Sequence, residues 1–600
     1  MDYNLIKECF SELKEIKSVL KECAYSKQDD LNDYPKLSIV NLKQYLKLRS
    51  IDITYLQEKL IKLGLSSIGR SQPHILYTIN QILIILSKLQ NEEYNEIDNP
   101  LDYDLAYKIM NKRLKIFGFT AESQYAKTKI MVTLPSEAAF DSKLIEELAT
   151  NGADILRINS AHDDTQSWRN MAESIKEINQ KHNLSTKIYY DLAGPKIRTT
   201  KIKKIKPPVK IGSRAIIKKI RLIDDTKAQT REEINSFDAI IAINKEFLKK
   251  CEIGDKIEFK DLYDRKRVLE IVFIEDFNIV CEIKNSAIID ESTVLKLSKK
   301  NKKYKTNVKN IREVVEEIRV FNNEHILLKA DIDEGYAKYI KDGIEQIATI
   351  GCSSIEAIHC VKVGDRVFID DGKIELKVVE KKESEILCVV VRSKDKGVVI
   401  KEEKGINFPD SDINLKAITD EDIENLLSVI DYVDIIGISF CQSKEDIEDL
   451  ISILKSKNNI NLSIVAKIET QKSVKNLPSI LEALIEHNNS GVMIARGDLA
   501  IEVGFENLSV LQEEILNLCE AAHMPVIYAT QVLENKMKTN LPSRAEITDA
   551  AFAQRADCIM LNKGAYAVDT IKILKTILRQ MHKLFKKNRQ LLTIETHWCV

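Results

Sequence analysis

No charge of either sign dominates this sequence of 600 residues: Lys and Arg number 90, Asp and Glu 91. A balanced chain has no net field to draw it to nucleic acid or to an anionic membrane. Glycine is scarce, at 19 residues, and no GxxxxGK[ST] segment occurs. Bound phosphates would therefore be held by side chains and a metal, not by a glycine cradle. The eleven cysteines are scattered and form no CxxC pair; that excludes the common zinc spacings, and their odd number suits no disulfide framework. No uncharged run reaches the ~20 residues that span a bilayer. The amino-terminal MDYNLIKECFSELKEIK mixes charges into its apolar residues, unlike a signal peptide. These absences read as a cytoplasmic, reduced protein with no membrane or nucleic-acid partner.

What is present is a change of texture near residue 128. Residues 1–125 read as a helical extension: Leu5, Ile6, Cys9, Phe10, Leu13, Ile16 and Leu20 recur at steps of three and four. A helical bundle or an oligomerisation cap is expected there. From Thr128 onward, short apolar β-rich runs alternate with helix-length amphipathic stretches, as in repeated βα units. The runs are KIMVTL (129–134), DILRIN (154–159), KIYYDLA (187–193), VDIIGISF (433–440), SIVAKIE (463–469), GVMIARGDL (491–499), PVIYATQ (525–531) and DCIMLNKG (557–564). Eight is the number that closes a TIM-type (β/α)8 barrel. The expected domains are a barrel over 126–200 and 405–590, and a β-rich lid domain, 201–404, inserted after strand 3 at the barrel mouth. Within the insert, EIGDKIEFKDLYDRKRVLEIV (252–272) echoes KVGDRVFIDDGKIELKVV (362–379), either by duplication or as two hairpins with similar turns. NVKNIREVVEEIRVF and DGIEQIATIG read as helices joining two modules.

In such barrels the site lies at the carboxyl ends of the strands. There the sequence places Arg157, Asn159 and His162; Asp191, Lys196 and Arg198; Ser439 and Phe440; Lys467 and Glu469; Arg496, Gly497 and Asp498; Thr530 and Gln531. A single pair of these could be a structural ion pair, but polar groups at one end of six strands are hard to explain as packing. Glu469 and Asp498 offer hard carboxylate oxygens suited to Mg²⁺. Lys467 lies two residues before Glu469, so strand alternation puts both on one face. A cation beside a metal, with Arg157 and Arg198 near, suits a transferring phosphoryl group.

The segments TKIMVTLP, LRINSAHD, DLAGPKIRT, GDRVFIDDGKIEL, KGINFP, ISF, VAKIET, MIARGDLAIE, IYATQVLE, PSRAEITDAA and ADCIMLN resemble, in order, the motifs of the pyruvate kinase family. The resemblance implies Mg²⁺-dependent (or Mn²⁺-dependent) transfer between phosphoenolpyruvate and ADP, giving pyruvate and ATP. It makes Lys467 the lysine that stabilises the phosphoryl group, Glu469 and Asp498 the metal ligands, and Thr530 the threonine linked to protonation of enolpyruvate. Arg157 and Arg198 become phosphate contacts. Asn159, His162 and Asp191 match the nucleotide and monovalent-cation region, and Lys404 the lysine before the returning strand of the lid. Ser439, Phe440 and Gly497 join the binding set.

The departures are as informative. Ala161 and Leu192 stand where the family's monovalent-cation site has serine and threonine, and Lys196 stands where potassium-dependent members have glutamate. An ammonium near the vacated site implies activity without K⁺, with Lys196 counted among the catalytic residues. After the eighth strand, Asn562, Lys563, Gly564 and Ala565 replace the family's Ser-Gly-Glu-Thr. The family's carboxyl-terminal regulatory domain is expected to be absent, with homo-oligomers, if any, through the amino-terminal helices. Two other readings remain open at this point: a magnesium–enolate barrel enzyme acting on another phosphoryl acceptor or oxoacid, and a non-catalytic binding protein.

Overall fold

The computed structural model describes residues 2–23, 34–94, 101–119, 128–212, 219–226, 237–275, 278–299 and 302–584. Eight strands close a parallel barrel: β1 (Lys129–Thr133), β2 (Ile155–Asn159), β3 (Lys187–Asp191), β4 (Ile435–Ile438), β5 (Ser463–Ile468), β6 (Ser490–Ala495), β7 (Val526–Ala529) and β8 (Cys558–Leu561). Seven lie inside the runs picked out above and β6 begins one residue before its run, at Ser490; helices on the outer face explain why the strands read as unbroken apolar segments. One run was drawn too long. GVMIARGDL is strand only as far as Ala495, and Arg496–Val503 is helical. Its break is physical: Asp498 sits in the first turn, where a helix dipole favours an acid.

The barrel is filled from inside and closed from below. Met131, Ile155, Tyr189, Ile435, Val465, Met493, Ile527, Cys558 and Met560 point inward and share a cluster with Leu114, Ile116, Phe117 and Phe119. These last four belong to a 3₁₀ turn, Leu114–Phe117, and the residues after it. The turn lies at the amino-terminal end of the strands. A Cβ on Gly491, near the start of β6, would come within 3.1 Å of Ile116 Cδ1 and 3.4 Å of Phe117 Cζ. Gly118 ends the turn at φ 79°, a conformation glycine adopts without strain.

The helices before that turn are packed on the chain's own barrel. Helix α1 (Tyr3–Lys21) buries Ile6, Cys9, Phe10, Leu13, Ile16 and Leu20, the expected face, and its Asp2 side chain caps Asn4 N and Leu5 N. Helix α2 (Tyr34–Arg49) packs on the barrel helices Leu477–His487 and Phe505–Ala521. Buried polar groups fix that junction. Asn41 donates to the carbonyls of Gln72 (2.7 Å) and Ala521 (2.8 Å), and Arg49 reaches Glu514 at 2.7 Å. The fully buried His523 ring sits between the Ser38 hydroxyl (2.9 Å) and the Pro73 carbonyl (2.8 Å).

The stretch expected as one lid, 201–404, is parted in the structure. Residues 199–351 with 396–403 form one compact unit, while 352–395 cluster with the unit that holds the barrel. The first contains a seven-stranded sheet around Ile220, Leu222, Ile257, Leu269 and Cys281. The two segments read as joining helices are instead short strands, Val314–Val315, Ile318–Val320, Ile344–Gln346 and Thr349–Gly351. They find strand partners, Ile318–Val320 antiparallel on Val398–Ile400, Ile344–Gln346 antiparallel on Tyr339–Lys341 and Thr349–Gly351 parallel on His325–Lys329, and this outweighs an apparent helical period.

The internal echo is a repeat of one turn geometry. Gly254 N donates to Ile271 O (2.8 Å) and Ile271 N to Asp255 O (3.0 Å); Gly364 N and Val378 N make the same pair with Val378 O (2.9 Å) and Asp365 O (3.0 Å). In both, the aspartate accepts from the amide three residues earlier, Glu252 N at 2.8 Å and Lys362 N at 2.9 Å. Among the described residues no helix is long and apolar enough to cross a membrane.

Candidate active site

Strand alternation and parallel register deliver the site. β2 and β3 pair Arg157 with Tyr189 and Asn159 with Asp191, so the last residues of each strand emerge at one end. Asp191, 1% exposed, is the hub. Its Oδ2 accepts from Arg157 Nε (3.0 Å) and Nη2 (2.5 Å) and from Lys467 Nζ (3.2 Å). Arg157 also donates to Thr133 Oγ1 at 3.0 Å, a β1 contact that the sequence reading missed. Lys467 Nζ donates to Ser439 Oγ (2.6 Å) and stands 3.1 Å from Glu469 Oε1. Ser439 Oγ in turn donates to Leu192 O at 2.6 Å.

The electrostatics follow from this packing. Burial opposes charge on Asp191, yet Lys467 and Arg157 hold its carboxyl below the usual range. Burial likewise opposes charge on Lys467, but Asp191 and Glu469 raise it above an ordinary lysine. Glu469 is raised, first by burial and also by the charge of Asp498, although Lys467 and the Phe440 amide (2.8 Å) pull the other way. The centre is thus a dry, fixed cation with acidic groups around it, where charge interactions are far stronger than in water.

Lys196, expected near the vacated cation site, is paired with Asp498. Its Nζ lies 3.1 Å from each oxygen of Asp498, and 5.9 Å from the centre of the Phe440 ring. Gly405 packs against its stem: an added Cβ there would come 3.0 Å from Lys196 Cε. Lys404, the neighbouring residue, lies 3.7 Å from Asp370 in the hairpin that follows Arg366.

His162 is held below its normal pKa, first by burial, then by the positive charges of Lys563, Arg198 and Arg157. The loops after β2, β3 and β8 therefore gather a basic group around one ring. Its backbone carbonyl accepts from Trp168 Nε1 at 2.8 Å, and Asn159 Oδ1 accepts from Ala161 N at 3.3 Å. Arg198 N donates to Ser353 Oγ at 2.8 Å. Lys563 was noted in the sequence only as a departure; no periodicity or spacing marks a loop residue as close to His162.

Backbone strain concentrates at the same end. Phe440 (φ 54°), Thr530 (φ 67°) and Gln531 (φ 57°) are left-handed without being glycine. Each such residue costs roughly 1–3 kcal/mol and persists only where its surroundings over-determine it. Thr530 Oγ1 is buried without a hydrogen-bond partner, as is Asp191 Oδ1. Gly497, one residue before Asp498, lies beside Thr530: a Cβ on it would be 3.7 Å from Oγ1. Gly437 in β4 was also missed, although a glycine inside a strand marks a close approach; a Cβ there would overlap the Tyr189 hydroxyl and Asp191 Oδ1.

Among the described residues no three His, Cys, Asp or Glu side chains cluster as a metal cage. Glu469 and Asp498 are instead a carboxylate pair, with Glu469 raised first by burial and further by the charge of Asp498. A hard divalent cation that keeps several waters fits such a donor set.

Comparison with known proteins meets this geometry. The family model described as pyruvate kinase, barrel domain, matches residues 125–301 and 308–571. A pyruvate kinase of Thermococcus litoralis is 37% identical over 224 residues, 36% of this chain and 45% of that protein. One from Methanocaldococcus jannaschii is 36% identical over 227 residues, 37% of this chain and 48% of that protein. One from Staphylococcus saprophyticus is 30% identical over 300 residues, 46% and 49% of the two lengths. The chain thus spans just under half the length of each of these three relatives. A crystal structure of a pyruvate kinase from Cryptosporidium parvum is similar in fold. Its TM-score is 0.51 at 22% identity, covering 77% of this chain and 70% of that one.

Proposed function

The chain belongs to the pyruvate kinase family, and from that we propose that it transfers a phosphoryl group between phosphoenolpyruvate and ADP, giving pyruvate and ATP. The observation that carries the reading is the buried Lys467 ammonium, fixed by Asp191, Ser439 and Glu469, with Glu469 in turn feeling the charge of Asp498. Phosphoryl transfer asks little covalent chemistry of a protein and much positioning and charge stabilisation, which is what this centre offers.

Lys467 and Arg157 meet the charge that spreads over the equatorial oxygens of the transferring group. Arg198 and His162, with Lys563 nearby, carry the phosphates of the nucleotide; Asp191 orients Arg157 and Lys467, and Asn159 holds the loop before His162 through the Ala161 amide. As the phosphorus–oxygen bond of phosphoenolpyruvate breaks, an enolate remains, and its methylene carbon takes a proton delivered through Thr530 and water. Glu469 and Asp498 would hold Mg²⁺ (or Mn²⁺), which supplies positive charge for the enolate oxygen and the substrate carboxylate. Lys196, paired with Asp498, contributes the charge that a monovalent cation brings elsewhere, so turnover needs no K⁺.

The deciding experiment is pyruvate release from phosphoenolpyruvate and ADP with Mg²⁺, in matched sodium and potassium buffers. Equal turnover in both is expected. A strong preference for potassium would remove the role given to Lys196, and no turnover in either would remove the activity itself.

A further inference from the structure

The Arg496 side chain makes five hydrogen bonds at the carboxyl end of the barrel. It opens the helix after β6 and reaches across to β7. Nε donates to Ala529 O at 3.0 Å and Nη2 to Thr530 O at 2.5 Å. Nη1 and Nη2 then fork onto the two oxygens of Asp549, at 2.6 and 2.9 Å. The Tyr528 hydroxyl accepts from Nη1 at 2.8 Å, and the guanidinium lies 4.0 Å from the centre of its ring. Asp549 comes from the helix Arg544–Phe552, so three separate elements are tied through one side chain.

The two carbonyls held by Arg496 are those of the peptide planes on either side of the Thr530 α-carbon. Fixing both planes fixes the φ and ψ between them. Thr530 is the residue held at φ 67°, a conformation a β-branched side chain avoids. Its hydroxyl is buried and unbonded, so nothing on the side-chain end sets its direction. The direction comes from the backbone, and the backbone is clamped by Arg496.

We propose that Arg496, braced by Asp549, is a positioning residue for proton delivery: it locks the strained Thr530 backbone so that the hydroxyl faces the methylene carbon of the enolate. This rests on the phosphoenolpyruvate reading above and adds a residue pair to it. The step it serves is balanced simply: a proton leaves the Thr530-linked water and forms the third methyl C–H bond of pyruvate. In reverse, that C–H bond breaks and the proton returns to water.

The two halves of the reaction can be read apart. Exchange of the pyruvate methyl hydrogens with D₂O, in the presence of ATP and Mg²⁺, reports proton transfer; pyruvate and ATP formation reports the whole cycle. In Arg496→Gln the exchange rate should fall by about 10²-fold, the contribution typical of a well-placed acid–base group. Both KM values should stay within about twofold of the parent enzyme, because no substrate contact is lost. Arg496→Lys, which keeps the charge and loses the fork, should behave like the glutamine variant. Asp549→Asn should fall between, and gives the same split should Arg496→Gln not fold. A purely structural arginine would lower both rates by one shared factor, the folded fraction. Exchange and KM unchanged relative to overall turnover in folded Arg496→Gln and Asp549→Asn would overturn the inference alone. A parent enzyme with neither exchange nor turnover would overturn the function and this inference with it.

Discussion

Lys467 shows how one residue can be both structural and chemical. Its ammonium satisfies Asp191 and Ser439 and lies against Glu469, all within a buried shell. Lys467→Met keeps much of the stem and removes the charge. Loss of one preorganised donor commonly costs 10²–10³-fold, and a full charge at the transferring group should cost about 10³-fold in kcat. Glu469 and Asp498 remain, so Mn²⁺ should still bind, measured by calorimetry on the same variant. Retained turnover with normal Mn²⁺ binding would move the phosphoryl-stabilising role to Arg157. Arg157, Asp191, Lys467, Glu469, Asp498 and Thr530 could all be picked out from sequence because they stand at strand ends in motif order. Thr133, Asp549 and Lys563 could not, because each acts through a neighbour that the chain brings from elsewhere.

At the scale of elements, the amino-terminal helices are tied to the barrel through a buried histidine. The pKa of His523 is pushed down to about 3 by burial, with the charge of Arg113 adding to it. Its Nε2–H donates to Pro73 O, which leaves Nδ1 to accept from Ser38. The neutral ring is thus the folded form, while the unfolded chain binds a proton near pH 6.5. Between those values the unfolded state holds one more proton, so stability rises with pH there. It is full above about pH 6.5 and falls by about 1.4 kcal/mol for each unit below. Urea melts from pH 7.5 to 5 should show this slope. His523→Gln, which does not titrate, should be less stable at pH 7.5 and flatter below it. An unchanged slope would assign the acid sensitivity to other groups.

On the scale of the molecule, the barrel has a floor made by the same chain. Ile116 and Phe117 fill the space under Gly491 and join the inward residues of the eight strands. The active end is correspondingly polar and acidic, with Glu469 and Asp498 close enough to repel. A bound divalent cation would stabilise the folded state in proportion to RT ln(1 + [L]/Kd), about 2.7 kcal/mol at a hundredfold excess over Kd. Stripping the protein with a chelator should therefore lower its melting temperature and abolish turnover, and millimolar Mg²⁺ should restore both. Glu469→Gln should lose the Mg²⁺-dependent thermal shift. A shift that survives both Glu469→Gln and Asp498→Asn would place the cation elsewhere.

The sequence by itself determined the eight strands, their order and the polar residues at their ends. Those features repeat locally: an apolar run, a turn and an amphipathic helix specify one βα unit, and the closed barrel follows from their number. It also carried the turn that occurs twice, at Gly254 and Gly364, because a glycine followed by an aspartate sets that geometry within a few residues. The strand at 318–320 reads as helix because its partner, Val398–Ile400, lies far along the chain, whereas Ile344–Gln346 pairs locally with Tyr339–Lys341 across Asp342 and Gly343, a hairpin signal that the helical reading passed over. Only the tertiary structure decided that Lys196 pairs with Asp498, that Arg496 clamps Thr530, and that a turn from before β1 closes the barrel floor. Each of these joins residues from separate elements, and its geometry is set by packing that no single stretch of chain contains.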